Sequence, residues 1–296
     1  RPCARWLPYL KASHIRDRYT GAMNDWPLAR VTRALTSDQR IRMAALDASA
    51  LWDGVRRGHP QLDADACACL TELLSATALL NSRALFLERL QLFVKGSGRA
   101  RAVVSDCWPD GTLRGVLDLA EPRPGPWVAG PGTLVVMRSS ASGQPWTGTL
   151  PLVEGGIQAQ VEAYLLQSEQ VQASLTLWCD PSTGHAGGLL VEPLPDCPPA
   201  RLARLVQAIE GVEVLQDHER EPDFLTEWVN GGPGAEVLGS VDLSYRCRCT
   251  RGSLLGILAG FPQDQLREIF VDEVPVEVRC DYCGRPYLLA RHEVVP

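Results

Sequence analysis

Lysine is almost absent from this sequence: Lys11 and Lys95 are the only two among its 29 basic residues. Arginine and lysine differ chiefly where bidentate contacts matter, so the bias reads as genome composition rather than as a functional signal. No apolar run approaches the roughly 18 residues of a membrane-spanning helix, and no membrane partner is expected. A surplus of positive charge is also lacking. The net charge of −6 and a pI near 5.5 argue against nucleic-acid phosphates or anionic lipid as main partners. No P-loop is present, so nucleotide-driven cycling is not expected. His14, His59, His185, His218 and His292 are isolated from one another, and none falls in a nucleophile or general-base motif. No hydrolase or transferase centre is read from the chain, which is expected not to be an enzyme. Neither a secretory signal nor its small-residue cleavage site is visible, making a reducing, cytoplasmic setting the expectation.

Cysteine, by contrast, is plentiful. Ten in 296 residues are too few per residue for a disulfide-built scaffold, and thiols in a reducing compartment are read first as metal ligands or redox groups. Cys3, Cys67, Cys69, Cys107, Cys179 and Cys197 are scattered through apolar or irregular sequence and read as ordinary thiols. Cys67 and Cys69 fall on an expected helix, where i and i+2 side chains diverge. The other four form two tight pairs: Cys247-Arg-Cys249, thirty residues, then Cys280-Asp-Tyr-Cys283-Gly. Two short-spaced pairs are a strong zinc signature, because zinc(II) takes four soft ligands tetrahedrally and each pair closes a small chelate loop. The expectation is one zinc ion, in the reduced state, on Cys247, Cys249, Cys280 and Cys283. Gly284 suits a knuckle, where a positive φ is useful.

A terminal unit of about 55 residues can scarcely hold itself by core burial. Metal binding would contribute most of its folding energy, on the order of 10–16 kcal/mol for structural zinc. A disulfide between residues i and i+2 closes a strained and therefore reducible ring. Zinc-held thiolates are already deprotonated and open to oxidants. The chemistry thus permits a redox-controlled folding switch without requiring one; a purely structural zinc ribbon remains equally compatible with these residues.

Along the chain, a helix is expected from about Asp63 to Gln91, with Leu70, Leu73, Leu74, Thr77, Leu80 and Ala84 at three- and four-residue steps. Meander signals follow: LQLFVKG, the Gly-Ser-Gly turn at 96–98, RAVVSDC, the turn at Pro109-Asp110-Gly111, TLRGVLDL and GTLVVMRS. A second helix over about Gly156–Gln170 precedes a strand in QASLTLWC and the segment Gly187–Leu194. Four prolines within seven residues at 193–199 then mark a boundary. The fold class is α+β: a large antiparallel-sheet core with packed helices, a helical linker region and a small C-terminal zinc-binding domain. The expected division is an N-terminal arm of unknown role at 1–35, the core at 36–195, the linker at 196–240 and the cysteine unit at 241–296. Short linker helices are marginal alone and depend on docking; Leu202 and Leu205 share one apolar face, and Phe224-Leu225…Trp228 is a second apolar cluster.

The segments SYRCRC and RCDYCGRPY, with about thirty residues between the pairs, resemble the redox-switch domain of the heat-shock protein 33 chaperone family. The resemblance extends upstream through ELLSATALL (72–80), LQLFVKGSGRARAVVSD, GTLRGVLDL, AYLLQSEQ (163–170) and AGGLLVEPLP (186–195), covering roughly 36–296. It implies a stress-response holdase that binds unfolding client proteins without ATP. In the reduced state zinc would keep the C-terminal unit folded and the linker docked on the core. Oxidation would pair Cys247 with Cys249 and Cys280 with Cys283, zinc would leave, and the loosened linker would expose a client-binding surface. The active form would be a homodimer. On this scheme Leu202, Leu205, Phe224, Leu225 and Trp228 face the core when inactive. The arm and the six scattered cysteines have no counterpart in the family pattern.

The same residues bear on two other classes. A thiol–disulfide oxidoreductase using Cys280-x-x-Cys283 needs that motif to open a helix in a thioredoxin-like setting, whereas here it follows the short strand VEVRC. A nucleic-acid-binding zinc ribbon would draw on Arg246, Arg248, Arg251, Arg279 and Arg285. Without aromatic stacking platforms or a basic face, those arginines read better as charges that lower thiol pKa values and offset a tetrathiolate zinc centre.

Overall fold

Alternating side chains in ARVTRAL and IRMAALD make β1 (Ala29–Leu35) and β2 (Ile41–Asp47) an antiparallel hairpin. Its turn is closed by Asp38, which accepts hydrogen bonds from the Thr36 hydroxyl and the Arg40 amide. Helix α1 (Ser49–Gly58) follows, then α2 (Ala64–Ser82), whose N-cap Asp63 accepts from the Ala66 amide at 2.7 Å. Helix α2 is buried along nearly its whole length. Its Thr71, Ser75 and Thr77 hydroxyls donate to the carbonyls of Cys67, Thr71 and Leu73 one turn earlier, so the buried hydroxyls keep partners. The meander β3 (Arg89–Lys95), β4 (Ala100–Cys107), β5 (Thr112–Leu119), β6 (Thr133–Ser139) and β7 (Trp146–Pro151) comes next. Helix α3 (Ile157–Ser168), β8 (Ser174–Cys179), β9 (Ala186–Pro193), α4 (Pro222–Asn230) and β10 (Glu236–Tyr245) complete this part.

The computed structural model describes residues 28–121, 123–140, 143–195, 197–201, 203, 220–271 and 274–294. Its strands β1 to β10 form one sheet in the order β7-β6-β3-β4-β5-β10-β1-β2-β9-β8. Every pairing is antiparallel except β5 with β10, which run parallel through Thr112–Ser244 and Leu113–Tyr245. One face carries the main core, where α2 packs with α1 and α3 over residues such as Leu46, Leu90, Val136 and Leu190. Strand side chains alternate between faces, so Ile41, Met43 and Ala45 point the other way. With Ala34, Leu189 and Val191 they form a second apolar patch, and α4 covers it with Leu225 and Val229.

The chain divides into compact units between Arg246 and Cys247. The second unit contains α5 (Arg251–Ala259), α6 (Gln263–Ile269), the hairpin β11 (Val276–Arg279) and β12 (Pro286–Leu289), and α7 (Arg291–Val294). Its apolar centre is small, built on Leu258, Leu266, Phe270, Leu289 and Val294.

The architecture is the expected α+β class, with boundaries that differ. The sheet begins at Ala29, inside the segment read as an arm, because β1 is zipped between β2 and β10. Residues 241–245 belong to the sheet rather than to the cysteine unit, since β10 runs unbroken to Tyr245. Helix α2 stops at Ser82 instead of reaching Gln91. Leu85 and Phe86 turn the chain with positive φ (56° and 54°), and Leu90 and Gln91 join β3, where Leu90 is drawn into the core and Gln91 pairs with Asp106 of β4.

Candidate metal centre

Each cysteine pair is positioned by a local turn. Cys247 and Cys249 lie between β10 and α5, and Thr250 caps α5 through a reciprocal box with Ser253, which sets the chain direction directly after Cys249. Cys280 and Cys283 occupy the turn between β11 and β12. There the Gly284 amide donates to the Cys280 carbonyl at 2.7 Å and the Cys280 amide to the Arg285 carbonyl at 3.0 Å. Gly284 has φ +68°, the left-handed conformation that a knuckle needs and a side chain resists.

The two turns bring the four sulfurs together. Cys247 Sγ and Cys280 Sγ are 3.6 Å apart, as are Cys249 Sγ and Cys283 Sγ. All four Sγ atoms lie within 4.8 Å of one another. These separations far exceed a disulfide bond of about 2.05 Å. They match the S···S edge of about 3.8 Å that follows from a tetrahedron of 2.3 Å Zn–S bonds. Among the described residues this is the one His/Cys/Asp/Glu cluster with metal-ligand spacing. Four soft donors without a carboxylate fit a thiophilic cation rather than calcium or magnesium.

The electrostatics point the same way. Hydrogen bonds from Cys280 and Cys283 hold the Cys247 thiol far below its ordinary pKa. Donating to that thiolate pushes Cys280 up to about 12 and raises Cys283 as well. Four thiols this close cannot all ionise unaided; a bound cation is what makes four thiolates compatible.

Tyr287 on β12, not singled out by the sequence, places its hydroxyl 3.2 Å from Cys249 Sγ and 3.1 Å from the Cys249 carbonyl. Arg285 hydrogen-bonds Tyr287 and stands within electrostatic reach of Cys249 and Cys283, as a charge-offsetting role requires. Arg251 and Arg279 do not play that role. Arg251 forks onto Glu293 at 2.8 and 2.6 Å and donates to the Leu288 carbonyl, tying α5 to α7. Arg279 pairs with Glu277 at 2.7 Å. Cys280-x-x-Cys283 sits in a hairpin turn rather than at a helix start, so a thioredoxin-like reading lacks its structural setting.

Of the residues read as a switch surface, Leu202 and Leu205 lie outside the described residues. Leu225 is fully buried against the β1–β2–β9 patch. Phe224 and Trp228 do not face the sheet in that way: they are 39% and 37% exposed and stack on each other at 6.2 Å. The second residue that α4 packs into that patch is Val229, one helical turn beyond Leu225. The i, i+4 spacing of those two was the available signal, outweighed by the more conspicuous aromatics. Cys67, Cys69 and Cys107 are buried, and burial raises all three thiols, Cys107 to about 12. Cys179 is also raised to about 12 by burial. These four are packing residues in the larger unit, distinct from the metal-type cluster.

The family model "Hsp33 protein" matches residues 29–290. The 33 kDa chaperonin of Lacticaseibacillus casei is 29% identical over 299 residues, covering 89% of this chain and 99% of that protein. The 33 kDa chaperonin of Acaryochloris marina is 30% identical over 277 residues, covering 86% of this chain and 91% of its own. The crystal structure of the Thermotoga maritima 33 kDa chaperonin, a heat shock protein 33 homologue, superposes with a TM-score of 0.75. At 21% identity it covers 90% of this chain and 96% of its own, and attests the fold. With a family match that runs from the first strand of the sheet to the end of the cysteine hairpin, this chain belongs to the Hsp33 family.

Proposed function

We propose that the protein is a redox-regulated, ATP-independent holdase in the cytoplasm, with zinc as the metal of its cysteine centre. Family membership supports a chaperone that binds client proteins rather than an enzyme. The observation that carries the regulatory part is the four-sulfur cluster, made of two pairs each close in sequence and all in mutual reach. A zinc ion held there would keep all four sulfurs ionised and contribute on the order of 10–16 kcal/mol to a unit whose own apolar centre is small.

Oxidation by peroxide joins Cys247 to Cys249 and Cys280 to Cys283. Each new S–S bond gives up two electrons, which reduce one peroxide to two waters with two protons from solvent. Four thiolates thus become two disulfides, no metal ligand remains, and residues 247–294 lose their main source of folding energy. Chain continuity through Arg246 carries the loss into β10 and the linker. Detachment of α4 then exposes Ile41, Met43, Leu189 and Val191, which are buried in the docked state. The exposed patch holds unfolding clients, and the oxidised form pairs as a homodimer.

The test is light scattering from a thermally unfolding client, without nucleotide, using zinc-loaded reduced protein and protein treated with peroxide. Suppression by the oxidised form alone, reversed by a thiol reductant and accompanied by zinc release to a chromogenic chelator, is expected. Equal suppression by both forms would make it a constitutive chaperone with a structural metal. Suppression by neither would end the chaperone reading.

A further inference from the structure

A cleft of about 100 Å³ opens on the α2 face of the sheet, where that helix stops short of the strand ends. Its floor follows from strand register. Gly239 of β10, Arg33 of β1, Ala44 of β2 and Leu190 of β9 lie in one cross-strand row, and Arg42 and Glu192 form the next. Ser82 and Arg83 close it from the end of α2, while Leu85 and Leu238 form an apolar rim. Leu238 is the bulge residue left between the pairs Arg33–Gly239 and Ala34–Val237.

The charges here are arranged unevenly. Arg42 and Arg83 both bond Glu192, at 2.8 and 2.5 Å. Arg83 also pairs with Glu169, which accepts from Arg138 at 2.8 Å, and Arg138 reaches Glu88 at 2.7 Å. Three guanidiniums are thereby matched with three carboxylates. Among the described residues Arg33 is the unmatched cation of the cleft. Its Nε is buried and makes no hydrogen bond, and no ion pair to it is present among the described residues. Gly239 faces this guanidinium: a Cβ there would stand in ordinary contact, 3.6 Å from Arg33 Nη2, and it is the φ of +143° that favours glycine at this position. Arg33 is half-buried with its Nε shielded from water; a charge partly withdrawn from solvent without a matched partner is costly, and the partial negative charge of the α2 C-terminus, about half a unit, does not neutralise it.

We propose that this cleft binds one small tetrahedral oxyanion of the phosphate type, with Arg33 as its principal ligand. A guanidinium fork suits two oxygens of such an anion better than an ammonium does. The cleft holds several water molecules at about 10–15 Å³ of such space each, room for a single oxyanion with part of its hydration. The site lies wholly within residues 26–246 and stands or falls independently of the redox switch.

The test is thermal unfolding and calorimetric titration of the reduced, zinc-loaded chain with inorganic phosphate, at fixed pH and with ionic strength held constant by chloride. Wild type, R33Q, R33K and R30Q are compared; Arg30 is an exposed arginine on the same strand, paired with Asp242 at 2.8 Å. Wild type and R30Q should show a saturable rise in melting temperature with phosphate. R33Q should melt in chloride close to wild type, having lost a half-buried and unmatched cation, and bind phosphate roughly tenfold more weakly or worse. R33K should keep a weaker saturable response, which reads the site even if R33Q folds poorly. An undiminished response in both Arg33 variants, or the same rise with chloride alone, would overturn the assignment. So would binding to phosphatidic acid vesicles by a chain that ignores free phosphate, because the headgroup would then be the ligand.

Discussion

Glu72 on α2 illustrates how a single buried group sets the pH behaviour of the larger unit. Burial pushes its carboxyl up to about 7, against about 4.3 for an unfolded glutamate. Because the folded pKa is the higher one, the contribution of this residue is fully present below about pH 4.3 and is lost as pH rises towards 7. Glu169 works in the opposite sense. Burial opposes its ionisation, but hydrogen bonds from Arg83 and Tyr164 outweigh that and hold it below the ordinary range. Its stabilisation is present above about pH 4.3 and fades below it. Glu72→Gln is therefore expected to raise stability at pH 8 by on the order of 2 kcal/mol, allowing for partial exposure, with little effect at pH 4. Calorimetric melting across pH 4–8 checks this, and parallel wild-type and variant curves would show that Glu72 is not held neutral.

At the scale of elements, α4 is the piece whose attachment decides how much apolar surface the sheet presents. It docks through one turn's worth of side chains, Leu225 and Val229, on Ile41, Met43 and Val191, and it ends in Gly231 at φ +85°, followed by further glycines. Val229→Asp places an unpaired carboxylate against that patch and should cost several kcal/mol of docking while leaving all four zinc ligands intact. The reduced, metal-loaded variant should then suppress client scattering without oxidant; silence in that assay, with α4 shown to be undocked by faster amide exchange, would mean the patch is not the client surface. The same elements explain what the sequence made legible. The cysteine centre could be read because each ligand pair and its turn are local, within four residues. The meander β3 to β6 could be read because each strand alternates and each turn carries its own glycine or Pro-Asp-Gly. Strand β10, with Gly239 and Ser240 in its middle, has weak intrinsic strand character and exists because β1 and β5 pair with it. Val229 packs on residues far away in sequence, and the row that places Arg33 beside Gly239 and Ala44 is set by strand register, which one chain alone does not reveal.

The whole molecule joins a large sheet to a small metal-type unit through Arg246, whose amide donates to the Leu113 carbonyl at 2.8 Å. Two features make this junction suited to passing on a loss of structure. The β5–β10 pairing that stitches the half-sheets spans only two residues, Ser244 and Tyr245, and these lie immediately before the cysteines. Tyr245 is in turn held from α1: a Cβ on Gly54 would fall 2.4 Å from Tyr245 Cβ, and the Tyr245 hydroxyl lies 2.8 Å from His59 Nε2. Unfolding after Cys247 therefore pulls on the end of a strand whose far end leads back to α4. Hydrogen exchange with mass spectrometry can follow the order of loss. On peroxide oxidation, amides of 276–289 should become unprotected first, with 222–230 and 236–245 following, while 90–94 and 134–138 in the β3–β6 half-sheet keep their protection. Removing the metal with a chelator under reducing conditions should produce the first loss without lasting disulfides and be reversed by added zinc. If 276–289 opens and 222–230 stays protected, the metal is structural and α4 is a fixed part of the core. If both open together, the energy of four sulfur–metal bonds governs the exposure of a surface built in part from Ile41 and Met43, on the second strand of the sheet.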